Sequence, residues 1–231
     1  MSENLMGKNI LIKEIVEHGL KINDYQSKRN HVCLMEYHGK RYVVKDMQDK
    51  KLWEKEIQLL QQLSRDGNLV PDIIDAEYPY IILEYLDGKL LLDVFEEYEM
   101  KCSREFENQK LIDMWLEWLE GFYESSHSLY GEPYICLDIN FRNYMLKEMN
   151  HQLVMYGFDF EQCRPGVIET DIGRMMAFAL MYHPAKTRWK QQFIDLLENM
   201  AIEKFNLNKD IVQKEYEQEL LIMQTRRNIV K

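Results

Sequence analysis

Three side chains in the second half of the chain have the types and spacing for chemistry at a phosphate. Asp138 and Asn143 stand in a D-x-x-x-x-N interval within ICLDINFRNYML, and Asp159 follows in YGFDFEQC between Phe158 and Phe160. A carboxylate at Asp138 can orient a hydroxyl nucleophile or take its proton, and the Asn143 amide oxygen is a hard donor suited to Mg²⁺. Asp159, set between two aromatics, carries a charge that needs compensation, which a metal ion would supply. Nearer the N-terminus, Lys45 closes the run RYVVK and Glu56 lies in KKLWEKEIQLLQQLS. An ammonium at Lys45 can reach the α- and β-phosphates of a nucleotide, and Glu56 can pair with it and fix its position. Phosphoryl transfer asks a protein for these parts: a cation on the phosphates, groups that hold Mg²⁺, and a carboxylate beside the attacking hydroxyl. Each also has a plainer reading, since strand-end lysines often face solvent and Asp and Asn often cap turns. The succession is more telling than any one motif. Lysine, helix glutamate, apolar strand, long helix, D-x-x-x-x-N and Phe-Asp-Phe follow one another in the order that one site between two lobes requires.

The elements that must position these groups are legible in outline. Residues 33–45, CLMEYHGKRYVVK, read as a hairpin turning at His38-Gly39 and ending in Lys45. Residues 50–64 place Leu52, Leu59, Leu60 and Leu63 at helical spacing, with Glu56 on the same stripe. Residues 80–83 form a short apolar strand halted by Asp87-Gly88. The character then changes. Residues 105–129 carry Trp115, Leu119, Phe122 and Leu129 on one face of a long helix. The segments PYICLDINFRNYML and HQLVMYGFDFEQC follow as a second hairpin around a polar turn at 147–150. Helices are expected at 171–182, 188–205 and 208–224, ending near Arg226, Arg227 and Lys231. The result is an α+β fold: a small antiparallel sheet with one helix, then a mainly helical lobe. No repeat or low-complexity tract interrupts it.

On these residues the chain resembles the protein-kinase-like superfamily, and within it the small bacterial aminoglycoside-phosphotransferase-like and lipopolysaccharide-kinase-like branches. The resemblance spans 32–182. It implies one two-lobed domain over 1–231, with an N-lobe at 1–86, a hinge near 84–88 and a helical C-lobe at 89–231. It implies ATP and Mg²⁺ as cofactors, Lys45 and Glu56 as the phosphate-binding pair, Asp138 as the catalytic acid-base residue, and Asn143 and Asp159 as metal ligands, with Glu161 as a helper. IILEYLDG is similar to the hinge, with Leu83 as gatekeeper and the backbones of Glu84 and Leu86 meeting adenine. TDIGRMMAFAL is similar to the helix whose opening aspartate, here Asp171, braces the catalytic loop. The chain departs from the pattern in four places, one of them the lack of a long activation segment or APE-like element after Asp171, which argues against regulation by activation-loop phosphorylation. Cys136 and Leu137 replace the usual histidine and its neighbour, Glu161 replaces the glycine after Asp-Phe, and no G-x-G-x-x-G precedes the hairpin. In place of that loop stands DYQSKRNHV, where Ser27, Lys28, Arg29 and Asn30 can supply donors and charge in place of bare backbone, with a solvated turn as the plainer reading of Lys28 and Arg29.

Composition narrows the partners. With 29 Lys and Arg against 39 Asp and Glu, the net charge is -10, which disfavours nucleic acid. The four cysteines show no CxxC pairing and no disulfide-scaffold density, which fits a reducing cytoplasm. No run of about 18 apolar residues marks a membrane span or a leader, so an unprocessed protein in solution is expected. The leading function is transfer of the ATP γ-phosphate to a hydroxyl of a small molecule or saccharide. Two rivals stand beside it: a pseudokinase scaffold, and a small protein-directed kinase or ATPase resembling that of the tRNA threonylcarbamoyl-adenosine complex, with a protein partner. Trp115, Trp118, Trp189, Met175 and Met176 read as core, and His127 as a buried histidine bonded to the catalytic loop. Asp93, Glu96, Glu97 and Glu99 read either as a solvated helix face or as a seat for a cationic acceptor.

Overall fold

Side chains alternate across a strand, and that alternation sorts the N-terminal sheet into two faces. The computed structural model describes residues 3–25 and 30–229, and the chain divides into two compact units, Met1–Asp87 and Gly88–Lys231. The first contains α1 (Glu3–His18), β1 (Leu20–Tyr25), β2 (His31–Tyr37), β3 (Lys40–Asp46), α2 (Lys50–Arg65), β4 (Ile73–Glu77) and β5 (Tyr80–Glu84). Its strands form one antiparallel sheet in the order β1-β2-β3-β5-β4. The β2–β3 hairpin turns at His38 and Gly39, whose φ angles of 49° and 71° suit a two-residue turn. Cys33 and Met35 of β2, Val44 of β3 and Ile82 of β5 share one face, which Ile12 and Ile15 of α1 cover. Lys45 follows Val44 and therefore points to the other face. The sequence reading counted one helix in this unit, and α1 is a second. Burying Ile12 and Ile15 is worth about 1.5–3 kcal/mol each.

The second unit is mainly helical. It runs through β6 (Lys89–Leu90), α3 (Leu91–Met100), α4 (Glu105–Tyr130), β7 (Tyr134–Ile135), β8 (Tyr144–Met149), β9 (Gln152–Gly157), β10 (Arg164–Pro165), α5 (Ile168–Met181), α6 (Arg188–Phe205) and α7 (Lys209–Ile229). A 3₁₀ turn at Phe141–Asn143 leads into β8. β8 and β9 pair as the second hairpin, turning at Asn150 and His151, and β6 adds to β8. The core is aromatic: Phe141 meets Phe95 of α3 at 4.9 Å and Trp115 of α4 at 4.6 Å between ring centres, and Phe95 meets Phe193 of α6 at 4.9 Å. These edge-to-face contacts fix Phe141, and with it the loop that carries Asp138. Trp115, Trp118, Met175 and Met176 are buried, and Trp189 packs on Phe95. Among the described residues no helix is long and apolar enough to cross a membrane.

Candidate active site

In the first unit, Lys45 Nζ donates to Glu56 Oε1 at 2.5 Å, and both side chains are almost fully buried. Glu56 reaches this place because it lies on the buried stripe of α2 with Leu59, Leu60 and Leu63. A buried charge is costly unless paired, so the pair explains how each partner is tolerated. The Asp49 carboxylate caps α2 by accepting from the amides of Lys51 and Leu52, and Trp53 Nε1 donates to the Tyr80 carbonyl at 3.1 Å. The helix is thereby pinned to β5. At the far end of β5 the Glu84 amide donates to the Asp72 carbonyl at 3.0 Å, and Leu86 is buried two residues on. Lys28 and Arg29 lie outside the described residues.

In the second unit, one hydrogen bond ties the two ends of the D-x-x-x-x-N interval together. Asn143 Nδ2 donates to the Asp138 carbonyl at 2.7 Å. Its amide nitrogen is thus committed and its Oδ1 remains as an acceptor. The Asp138 carboxylate is held at both oxygens: Asn140 Nδ2 donates to Oδ1 at 2.8 Å and Gln162 Nε2 to Oδ2 at 3.0 Å. A carboxylate offers about four lone-pair sites, so room remains for a hydroxyl donor. The Phe158 amide donates to the Asn143 carbonyl at 3.0 Å, which sets Asp159 next to Asn143 along the backbone. Gly157 ends β9 there because a Cβ would meet the Trp118 ring at 2.2 Å. Phe160 stacks on that same ring at 5.9 Å. Between these anchors Asp159 adopts φ 70°, a left-handed conformation that Asp tolerates better than most residues. Carboxylate oxygens of Asp159 and Glu161 lie within 4.8 Å of each other, and Glu161 is buried.

Asp171 braces the loop from below. Its fully buried carboxylate accepts from the Cys136 amide at 2.8 Å, the Leu137 amide at 2.9 Å and the Tyr123 hydroxyl at 3.2 Å. Leu137, just before Asp138, has φ 61°, a strained geometry costing of order 1–3 kcal/mol. The bond to its amide helps to hold it. Because the brace uses main-chain amides, Cys136 in place of histidine does not break it; its thiol is buried, and the Tyr144 hydroxyl lies 4.0 Å from its sulfur. Burial raises the Asp171 carboxyl to about 6, opposed by the bonds from Cys136, Leu137 and Tyr123 and by Arg174. The Tyr182 hydroxyl accepts from the Phe141 amide at 2.9 Å, and burial raises its pKa.

Some expectations need correction. His127 is exposed rather than buried, because α4 turns Phe122, Tyr123 and Ser126 inward and His127 out; the Tyr123 hydroxyl donates to Asp171, which in turn holds the loop. In the acidic row, Glu99 is bound to Lys190 at 2.6 Å and Glu97 to Lys89 at 2.7 Å, which leaves Asp93 and Glu96 exposed. Asn140, Gln162 and Tyr182 were not singled out from the sequence. Asn140 had a local signal, an amide two residues after an aspartate, whereas Gln162 and Tyr182 reach the loop from 24 and 41 residues away.

The sheet of the first unit and the helical second unit, with its braced D-x-x-x-x-N loop, make up a protein-kinase-like fold of the aminoglycoside-phosphotransferase and lipopolysaccharide-kinase kind. WaaP in complex with acyl carrier protein matches with a TM-score of 0.59 over 98% of this chain and 95% of that one, at 14% identity. Aminoglycoside phosphotransferase APH(4)-Ia matches at 0.59 over 92% and 87%, at 9% identity. The Rio2 kinase-ADP/Mg²⁺-phosphoaspartate complex from Chaetomium thermophilum matches at 0.50 over 90% of this chain and 64% of that one, at 14% identity. At these identities the likeness is one of fold. No protein-family model matches the sequence, and no curated protein does.

Proposed function

We propose that the protein is an ATP-dependent phosphotransferase that moves the γ-phosphate to a hydroxyl of a small-molecule or saccharide acceptor. The observation that carries this reading is the Asn143-to-Asp138 bond at 2.7 Å inside a loop braced by Asp171, which presents a carboxylate and an amide oxygen in fixed relation. In this reading Asp138 accepts a hydrogen bond from the acceptor hydroxyl, orients its oxygen toward the γ-phosphorus and takes the proton as the new O–P bond forms, while the bond from the γ-phosphorus to the bridging oxygen breaks and ADP leaves with that oxygen. Lys45, held by Glu56, contacts the α- and β-phosphates, and Lys28 and Arg29 are further cations available to them. The Glu84 carbonyl and Leu86 amide meet the adenine edge. Asn143 Oδ1 and Asp159, with Glu161 as helper, are oxygen donors of the kind Mg²⁺ prefers, and the close Asp159 and Glu161 carboxylates suit a cation. Mg²⁺ bound there would neutralise phosphate charge. The Rio2 neighbour is an ADP/Mg²⁺ complex, which supports both cofactors.

A second reading, a nucleotide-binding scaffold without turnover, is favoured by the amide donors on both Asp138 oxygens. Calorimetry with an ATP analogue, with and without Mg²⁺, and ADP release across a panel of hydroxyl compounds separate the two. Phosphotransfer predicts Mg²⁺-dependent binding and turnover that falls about 10²–10⁴-fold in Asp138→Asn. Binding with no Asp138-dependent turnover would favour the scaffold, and absence of binding would defeat both.

A further inference from the structure

A pocket of about 370 Å³ in the second unit is walled by Arg142 of the catalytic loop, by Phe178, Met181 and Tyr182 at the end of α5, and by Met223 and Arg226 of α7. Phe178 with Met181, and Met223 with Arg226, are spaced to share one face of their helices. One turn back along those two faces, Arg174 pairs with Glu219 at 3.4 Å. The pocket is joined to the catalytic loop in two ways. Arg142 immediately precedes Asn143 and lies 5.7 Å from the Tyr182 ring centre, and the Tyr182 hydroxyl accepts from the Phe141 amide.

The charge of this pocket runs against that of the chain. Acidic residues outnumber basic ones by 39 to 29 overall, yet no carboxylate lines the pocket, and exposed His183 adds a further basic group. Among the described residues neither Arg142 nor Arg226 pairs with a carboxylate, whereas Arg174 does. Two arginines line this one partly apolar pocket, and an anion between guanidinium groups offsets their mutual repulsion with charge-assisted hydrogen bonds. The thioethers of Met181 and Met223 and the Phe178 ring offer an adaptable apolar wall.

We infer that this pocket binds the anionic group, phosphate or carboxylate, of the phosphoryl acceptor, with the acceptor's apolar part against Phe178, Met181 and Met223. The term acceptor rests on the phosphotransferase reading, but the binding of an amphiphilic anion does not. The test is calorimetry of the full chain with hexyl phosphate, hexanoate and hexan-1-ol, with and without a saturating ATP analogue and Mg²⁺. At least one anion should bind about tenfold or more tightly than hexan-1-ol and should still bind beside the nucleotide analogue. Arg226→Glu, at an exposed position, should weaken that binding about tenfold or more with an unchanged unfolding temperature, and Arg142→Gln should weaken it too. Whichever of the two anions binds names the group. Equal affinity for the alcohol, displacement by the nucleotide analogue, or undiminished binding in Arg226→Glu would overturn the assignment. Failure of nucleotide binding alone would count against phosphotransfer and leave the pocket result intact.

Discussion

Asp171 holds two main-chain amides of the 136–143 loop with a carboxylate that water does not reach, and its titration should be visible in stability. Burial lifts its pKa from an ordinary 3.8 to about 6. Between those values the folded chain keeps a proton that the unfolded chain releases. The unfolded state then binds fewer protons, so stability falls as pH rises through that interval. The displacement corresponds to roughly 3 kcal/mol. Urea unfolding of the parent and of Asp171→Asn between pH 4 and 7 should show the parent losing ground to the variant as pH rises, with most of the change complete above pH 6. A gap that does not vary with pH would show that burial is not what governs this carboxyl. The variant should itself be destabilised by about 2–4 kcal/mol, because an Asn amide nitrogen must face one of the N–H groups that the carboxylate now accepts.

At the scale of elements, α3 and α6 are joined by a buried ammonium. Lys190 is fully buried and donates to Glu99 at 2.6 Å and to the Pro184 and Tyr182 carbonyls at 2.7 and 3.2 Å, and the hydroxyl of Thr187, the cap of α6, also donates to Glu99. Lys190→Met would leave Glu99 buried without its cation and should cost about 3–5 kcal/mol by chemical denaturation; Lys190→Met with Glu99→Leu should recover part of that loss. Additive losses in the double variant would refute the coupling. This junction was not legible in the sequence, where Glu99 read only as part of an acidic row. The helices α2, α4, α5 and α6 were legible because each carries an apolar stripe. Strand β1 was not: Leu20 and Ile22 alternate with Lys21 and Asn23 over only four residues, and all six of its residues are exposed. The helix α1 was missed because Ile12 and Ile15, its buried residues among those described, sit among Lys and Glu. In the candidate site, Asp138, Asn143 and Asp159 stand out in the sequence by type and spacing, and their roles there remain those of the proposal. Gln162, Tyr123 and Tyr182 do not stand out, since tertiary packing alone brings them to the loop and its brace.

Over the whole molecule, the proposed function draws on residues of both compact units: Lys45 and Glu56 in the first, Asp138, Asn143 and Asp159 in the second. A ligand that engages both sets should protect both. Hydrogen exchange with a nucleotide analogue and Mg²⁺ is therefore expected to slow in β3 and α2 and also in the 136–143 loop and the 157–161 segment. Slowing confined to one unit would mean that the other takes no part in holding the nucleotide. Without Mg²⁺, the effect in the second unit should shrink more, since Asn143 and Asp159 are the proposed metal ligands. The excess of acidic residues, 39 against 29, gives a solvent-facing field that repels free anions at long range. That field makes the position of the few cations decisive for where a nucleotide or a phosphorylated compound can settle.

The bond from Asn143 Nδ2 to the Asp138 carbonyl closes a small ring whose members are Asp138, Ile139, Asn140, Phe141, Arg142 and Asn143. A ring has a circumference, and this one limits how far apart Asp138 and Asn143, the proposed base and metal ligand, can move. Ile139 and Phe141, both fully buried, fasten it to the core, while Arg142 is exposed and turns outward. Substitution at Arg142 changes what the loop touches without changing its size. Insertion or deletion of a single residue would change the size itself, so divergence in this loop can proceed by exchanging side chains and not by altering its length.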